Sequence, residues 1–450
     1  MTALRSQRLE TLLGARLDDA RHEHFEAMVQ THVSEAFDLD FKRQHYGNAD
    51  KDRRELAGDV AALANSAGGM LVLGIEEDEH AHAVAAPVVT VSDGEIRRIH
   101  QVIAEKVAPI PVVDVRPVPD PAVPGRGFLV IAVPHSPRAP HAVVVNEGLR
   151  LPVRHGTTTR YMPESEVATA YRERFARARS QSERAAAIEA KAHWRLANAE
   201  DHCWVMVSLV PDMPGDLPID HAALGAAQRD YVSKFPMIMR TNSSWHRVDV
   251  APRCLMLSGS PESVRGARWL AADLYSDGSG IFAVNAIDIA GRSQTESRAD
   301  AVWLHDEEIV NGILTGLRLL ARHARDSAGS SGEALIRAQV HDVGGGRAIR
   351  LSGRRSTPFT EPMGRPLATP ADVAQAAAPI DALADDGPGL AVCSYLLATG
   401  LFQEFGLPEA LQVTRDGALR GQYWGSHRHQ EIQAWADQAG IRITDEALPL

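Results

Sequence analysis

The run Phe37-Asp38-Leu39-Asp40-Phe41-Lys42 sets two carboxylates and an ammonium at alternate positions. On a strand they share one face, while Phe37, Leu39 and Phe41 share the other. Divalent cations that assist phosphodiester cleavage take oxygen ligands, mostly carboxylates. The plainer reading of the same face is solvated charge with ion pairing between i and i+2. Arg53, Arg54, Arg97, Arg98, Arg150, Arg154 and Arg160 could line a phosphate groove, because the guanidinium fork binds phosphate at two places. Each reads equally well as ordinary surface charge. The hydroxyls of Thr157, Thr158 and Thr159 could also reach phosphate, or could shape a turn and cap the helix that follows.

Further along, Trp424-Gly425-Ser426-His427-Arg428-His429 holds two histidines at i,i+2, with no third ligand at a recognisable spacing, and reads as a surface turn. Gly344-Gly345-Gly346-Arg347 lacks the Lys-Ser/Thr and the following helix of a phosphate loop, and reads as a hairpin turn. No GxxxxGK[ST] occurs, so ATP hydrolysis has no support.

Certain elements must position these groups. Residues 5–30 read as helical, and the alternating run at 37–42 as a half-buried strand. Glu55 to Ser66 has Leu56, Val60, Leu63 and Ala64 on one stripe, an amphipathic helix. Gly68-Gly69 suits a tight turn into Met70–Ile75, whose unbroken apolar run suits a central strand. A helix follows near 92–107, then strands near 112–118 and 127–133. Pro163, with Glu164 and Glu166 behind it, opens a long helix to about Trp194. Beyond Cys203, residues 204–211 and 254–260 suit strands. Residues 263–275 and 307–324 suit helices, with His305 to Glu308 as a charged helix start. Residues 326–333 and 381–389 read as flexible breaks, and the last segments as helical. The organisation expected is α+β: 1–175, a connector helix 176–200, an α/β or α+β domain 201–380, and a helical segment 390–450.

The 450 residues carry a net charge of −11, against a protein that coats nucleic acid by charge alone but not against a local basic groove. Three scattered cysteines, Cys203, Cys254 and Cys393, offer neither a disulfide framework nor a thiolate zinc site. The charged N-terminus has no apolar signal core, and no apolar run spans a membrane. A cytoplasmic protein without membrane contact is expected.

Several of these segments, taken in order, resemble the Schlafen AlbA_2 family. They are Glu35 with four spacers before Asp40-Phe41-Lys42, Asn65-Ser66-Ala67-Gly68-Gly69, Leu73-Gly74-Ile75-Glu76, Pro109 to Pro111, Pro140-His141, and Arg154-His155-Gly156-Thr157. The resemblance covers about residues 25–175 and implies a nucleic-acid-binding protein that is also a divalent-metal-dependent endoribonuclease on tRNA or other structured RNA. It implies Glu35, Asp40 and Glu76 as catalytic and metal-binding acids for Mg2+ or Mn2+, with Glu77 as the register alternative to Glu76. Lys42, Arg43, Arg154, Thr157 and Arg160 are the implied nucleic-acid contacts. The acids here read Glu, Asp, Glu, where nuclease-competent relatives tend to have Glu, Glu, Asp, so each exchange changes reach by one methylene. The alternatives are a non-catalytic DNA/RNA-binding regulator and a protein-interaction scaffold. Two tandem lobes build the groove of animal Schlafens; one lobe here implies a homodimer.

Overall fold

The computed structural model describes Leu4 and residues 6–146, 148–197, 202–232, 238, 245–259, 269–287, 301–343, 347–354, 360–367, 372–425, 428–446 and 448. The chain forms two compact units, Met1–Ala178 and Arg179–Leu450, of α+β class. Gly344 to Gly346, Ser426 and His427, all singled out above, lie outside the described residues.

The first unit opens with α1 (Gln7–Leu13) and α2 (His22–Gln30). One helix over 5–30 was expected. Gly14, at φ 70°, ends α1 in a left-handed cap and splits it in two. Then come β1 (Leu39–Lys42), α3 (Asp50–Ala64), β2 (Gly68–Leu73), β3 (Glu76–Glu77), β4 (Ala83–Ala85), β5 (Val89–Thr90), α4 (Asp93–Lys106), β6 (Val107–Ala108), β7 (Asp114–Pro119) and β8 (Arg126–Pro134). The unit continues through β9 (Ala142–Val145), β10 (Gly148–Arg150), β11 (Pro152–His155) and β12 (Thr158–Tyr161) into α5 (Glu164–Leu196).

Its main sheet runs β1-β2-β8, with β5 and β7 also on β8. β2 is buried throughout, as its apolar run implies. Met70 and Val72 pack with Leu9, Phe25 and Met28 of α1 and α2; Leu71 and Leu73 pack with Leu56, Val60, Ile99 and Val102 of α3 and α4. Helices therefore cover both faces, and β1 is an edge strand lying parallel to β2. Gly69 permits that closeness: a Cβ there would lie 2.4 Å from the Asp38 carbonyl oxygen.

The strand at 37–42 differs from the half-buried reading. Leu39 and Phe41 are buried, but Phe37 is 45% exposed, and Asp38 and Asp40 are 5% and 3% exposed. The polar face is a covered one. Asp38 pairs with Arg8, and Asp40 is enclosed by the groups described below.

The second unit begins with the C-terminal half of α5 and continues with β13 (His202–Met213), α6 (His221–Ala227), β14 (Arg247–Ala251), β15 (Cys254–Gly259), β16 (Leu270–Tyr275) and β17 (Gly280–Asn285). Next are β18 (Ala301–His305), α7 (Asp306–Arg322), β19 (Ser331–Val343), β20 (Ala348–Arg354), β21 (Thr360–Met363), β22 (Ala374–Pro379), α8 (Ile380–Ala384), α9 (Pro388–Glu404), β23 (Leu419–Arg420), α10 (His429–Ala439) and β24 (Ile443–Thr444). Seven strands, β14-β15-β16-β17-β13-β19-β22, make an antiparallel sheet. Ile188, Ala192 and Leu196 of α5 cover one face; α7, α8 and α9 cover the other. Gly312 and Gly316 let α7 lie close to Val284 and Phe282: added Cβ atoms would meet them at 2.7 and 2.8 Å.

Several local expectations fail here. Within 263–275, read as helix, Leu270–Tyr275 is a strand buried on both faces, where an apolar run has no period to distinguish strand from helix. Within 326–333, β19 already begins at Ser331, and Ser330 is buried, accepting from the Gly215 N–H at 3.0 Å. Residues 381–389 include most of α8 and the start of α9. β19 and β20, which flank Gly344 to Gly346, belong to different sheets and are not a hairpin. The three cysteines are buried free thiols. No described helix is long and apolar enough to cross a membrane.

Candidate active site

The site gathers at the β1 edge of the first sheet. Asp40 points to the side of β1 opposite Leu39 and Phe41. One of its carboxylate oxygens meets Lys42 Nζ and the other accepts from Arg154 Nη1 at 2.8 Å. Arg154 is buried. Its Nη2 donates to the Ala36 carbonyl at 3.2 Å, and its backbone N–H donates to Ser66 Oγ at 3.0 Å. An interior ion pair of this kind adds little net stability, because the cost of desolvating two charges offsets their attraction.

Asn65 holds the strand that carries Arg154. Its Nδ2 donates to the carbonyls of His141 and Pro152 at 2.9 and 2.8 Å, and its Oδ1 accepts from the His141 N–H at 2.6 Å. The Asn65-Ser66 pair at the end of α3 thus ties β9 and β11 to the helix, more than a simple cap would do.

Glu35 lies half-buried before β1, and its Oε1 accepts from the Phe41 N–H at 2.6 Å. Burial, then the charge of Asp40, push its carboxyl up to about 8; the Phe41 N–H opposes this. The charge of Glu77 adds to the rise. Glu76 is placed differently: it accepts from Arg43 Nη1 at 2.8 Å in an exposed pair. The β3–β4 ladder is irregular between Glu76 and Glu77, the distortion that counting along the sequence does not resolve.

Two further groups complete the cluster. Tyr46 donates its hydroxyl proton to Asp59 Oδ2 at 2.8 Å. Burial and then Asp40 push Asp59 up to about 6, against the pull of Lys42. Burial works against the charge on Lys42, but Asp40 and Asp59 outweigh it and hold its pKa above the ordinary value. Sequence reasoning missed Asp59 and Tyr46. A signal for Asp59 was present: it sits at i+3 from Leu56 and i−4 from Leu63, an acid within an otherwise apolar helix stripe.

The remaining sequence candidates lie on the β11–β12 hairpin. Thr157 is exposed in its turn, after Gly156 at φ 62°. Arg160 is exposed, and both its Nη atoms donate to Glu166, at 2.8 and 3.0 Å. Of the implied acids, Glu35 feels the charges of Asp40 and of Glu77, while Glu76 pairs with Arg43; among the described residues the three whose ligand-type atoms all fall within 4.8 Å of one another are not these. Of the implied nucleic-acid contacts, Lys42 and Arg154 face Asp40, and Arg43, Thr157 and Arg160 are at the surface.

A second acid cluster lies in the other unit. The charged stretch read as a helix start at Ile309 is the first turn of α7, and Asp306, Glu307 and Glu308 are all buried. His305, Asp306 and Glu307 bring ligand-type atoms within 4.8 Å of one another. Asp306 accepts from Gln412 Nε2 at 2.7 Å, Glu307 accepts from the Gly425 N–H at 2.8 Å, and Glu308 pairs with Arg428. Burial and the neighbouring Glu307 raise Asp306 to about 8. The expectation of a surface turn over Trp424 to His429 fails at Trp424, Gly425 and Arg428, which are buried, Gly425 and Arg428 against these acids, while His429 is exposed.

The first unit thus holds a carboxylate centre at the edge of a helix-covered sheet, with a lysine and a buried arginine trained on one acid. Residues 35–169 match the family described as Schlafen, AlbA_2, and the unit carries a domain of that family. The family suggests a nucleic-acid-binding or nuclease-like function. Among curated proteins none matches. Among solved structures, the DIP2311 protein of Corynebacterium diphtheriae is similar at 21% identity and a TM-score of 0.24, over 37% of this chain and 29% of that one.

Proposed function

We propose that the first unit binds RNA and cuts it with the help of a divalent cation, Mg2+ or Mn2+, with tRNA or other structured RNA as substrate. The observation that carries this reading is a half-buried Glu35, held by the Phe41 N–H on β1, whose carboxyl is raised to about 8 by burial and by the charges of Asp40 and Glu77. A carboxyl raised by burial and by neighbouring acids is relieved by a cation, and carboxylates are hard oxygen ligands. Glu35, Glu77 and Asp40 would hold the ion. When bound, it supplies charge neutralisation at the phosphate and a lowered pKa for bound water.

The chain's own residues have separate tasks. Arg154 fixes the Asp40 carboxylate, and Ser66 fixes the Arg154 backbone. Lys42, cationic between Asp40 and Asp59, faces a phosphate oxygen with its remaining donor capacity. Arg43, Thr157 and Arg160 supply outer phosphate contacts.

The test incubates the full chain with labelled tRNA and with DNA, in Mn2+, in Mg2+ and in chelator. Cleavage that requires the cation and disappears in Glu35→Gln and Glu77→Gln, but survives in Glu76→Gln, is the expected result. Product formation that persists in Glu35→Gln removes the assignment. A second reading, binding without cutting, draws on the observation that both oxygens of Asp40 are already held by cations. It predicts salt-dependent association with every nucleic acid tested and no product in any metal.

A further inference from the structure

The β11–β12 hairpin has one face that continues from the acid centre to solvent. In its antiparallel register Arg154 lies opposite Thr159 and Pro152 opposite Tyr161. Opposed residues, and residues two apart on a strand, project to the same face. Tyr161 therefore shares the face of Arg154, whose guanidinium reaches Asp40. The diagonal separation of such residues is about 7–8 Å between Cα atoms, on the order of one nucleotide step along a chain.

Pro152 and Arg154 on this face are buried, but Tyr161 is 56% exposed. The Arg150 guanidinium stands over its ring, 5.3 Å from the centroid. Arg150 is itself exposed and makes no ion pair among the described residues. That sets it apart from Arg43, Arg53, Arg54, Arg98 and Arg160, each of which has a carboxylate partner. Another exposed aromatic, Phe37 beside Asp38, has Arg8 over its ring, but Asp38 already holds that arginine.

We propose that Tyr161, with Arg150 against its ring, is a stacking platform for one unpaired nucleobase next to the acid centre. The inference rests on the reading of this unit as RNA-binding, and it names the form of RNA: a strand with a base free to leave its stack. An aromatic ring accepts any base by its π-face, while an unpaired guanidinium beside it takes the adjoining phosphate. A base in a duplex is already stacked on both sides and cannot use the ring.

The experiment measures Kd by fluorescence anisotropy on the full chain in chelator, so that no cleavage intervenes. The probes are a labelled single-stranded RNA and the same sequence paired to its complement. Stacking on one aromatic is worth about 1–3 kcal/mol per base, so Tyr161→Ala should weaken single-strand binding roughly tenfold, within a range of about 5- to 150-fold. Duplex affinity should be unchanged. Tyr161→Phe, which keeps the ring, should bind like the parent. Arg150→Gln should weaken single-strand binding and flatten its salt dependence.

Equal affinity of Tyr161→Ala and the parent for the single strand overturns the platform and leaves the RNA-binding reading standing. Equal losses on single strand and duplex also overturn it, since stacking cannot act on paired bases. A parent protein that binds neither probe overturns both readings.

Discussion

Each unit carries a cluster of acids, and the two clusters are built to opposite ends. In the second unit Asp306, Glu307 and Glu308 are buried, and the donors that meet them are a glutamine, a backbone N–H and Arg428. In the first unit Glu35 is half-buried, Glu77 is exposed, and the charge of Glu77 adds to the rise of the Glu35 carboxyl. The cations there, Lys42 and Arg154, both pair with Asp40 rather than with Glu35 or Glu77. The lesson lies in access and in partners rather than in the count of acids. A carboxylate met by fixed donors on the inside of a fold acts as a clamp. One left against another acid at an edge is ready to take a proton or a cation.

This contrast can be broken most sharply at Arg428. Arg428→Ala leaves Glu308 buried without that cation and should destabilise the second unit by about 3–5 kcal/mol. All seven tryptophans lie in that unit, so a urea titration followed by tryptophan fluorescence reads it selectively. An unchanged midpoint would mean that the cluster is not a clamp.

Next in size is a paired substitution. Glu35 and Asp306 both have carboxyls raised to about 8, so each amide variant resembles the form present near neutrality. Glu35→Gln should cost about 10–100-fold in metal-dependent cleavage, while Asp306→Asn leaves it unaltered. Equal rates for the two variants would erase the distinction.

The pH response should follow from the same carboxyl. Glu35 moves from an ordinary value of 4.5 to about 8 on folding. The folded state then holds the proton that the unfolded state releases, so stability falls as pH rises from 4.5 to 8 and levels off above. In metal-free buffer the melting temperature of the first unit should decline across this window. Glu35→Gln should remove that part of the decline, and added Mn2+ should oppose it. The readout is a melting series by far-ultraviolet circular dichroism with the tryptophan signal subtracted as the second unit.

The smallest effect is expected at the surface. Arg160→Ala breaks an exposed bidentate pair with Glu166 and should cost under about 1 kcal/mol. If Arg160 leaves Glu166 for phosphate in the complex, the salt slope of RNA binding should drop by about 1.

Much of the frame was legible where order is local. The apolar run at Met70 marks a central strand, Gly68-Gly69 marks the close approach, and Pro163 with its trailing glutamates marks the start of α5. What stayed hidden depends on contacts distant in sequence. Arg154 meets Asp40 across 114 residues, and nothing in a strand's period reports that both are buried. Leu270–Tyr275 looks helical until its neighbours in the sheet are known. The choice between Glu76 and Glu77 turns on an irregular ladder with β4, which has no mark in the residue types.

The pairing of Glu308 with Arg428 also sets a clock. The partners are 120 residues apart, so at roughly 5–20 residues per second a ribosome needs roughly 6–24 s between delivering one and the other. Through that interval the first turn of α7 must stay hydrated or be shielded, because its acids cannot enter the interior without their counter-charge. The sheet can assemble early, but the helix layer on its face can lock only when Arg428 has emerged. A nascent chain stalled before Arg428 should thus present α7 to proteases and chaperones.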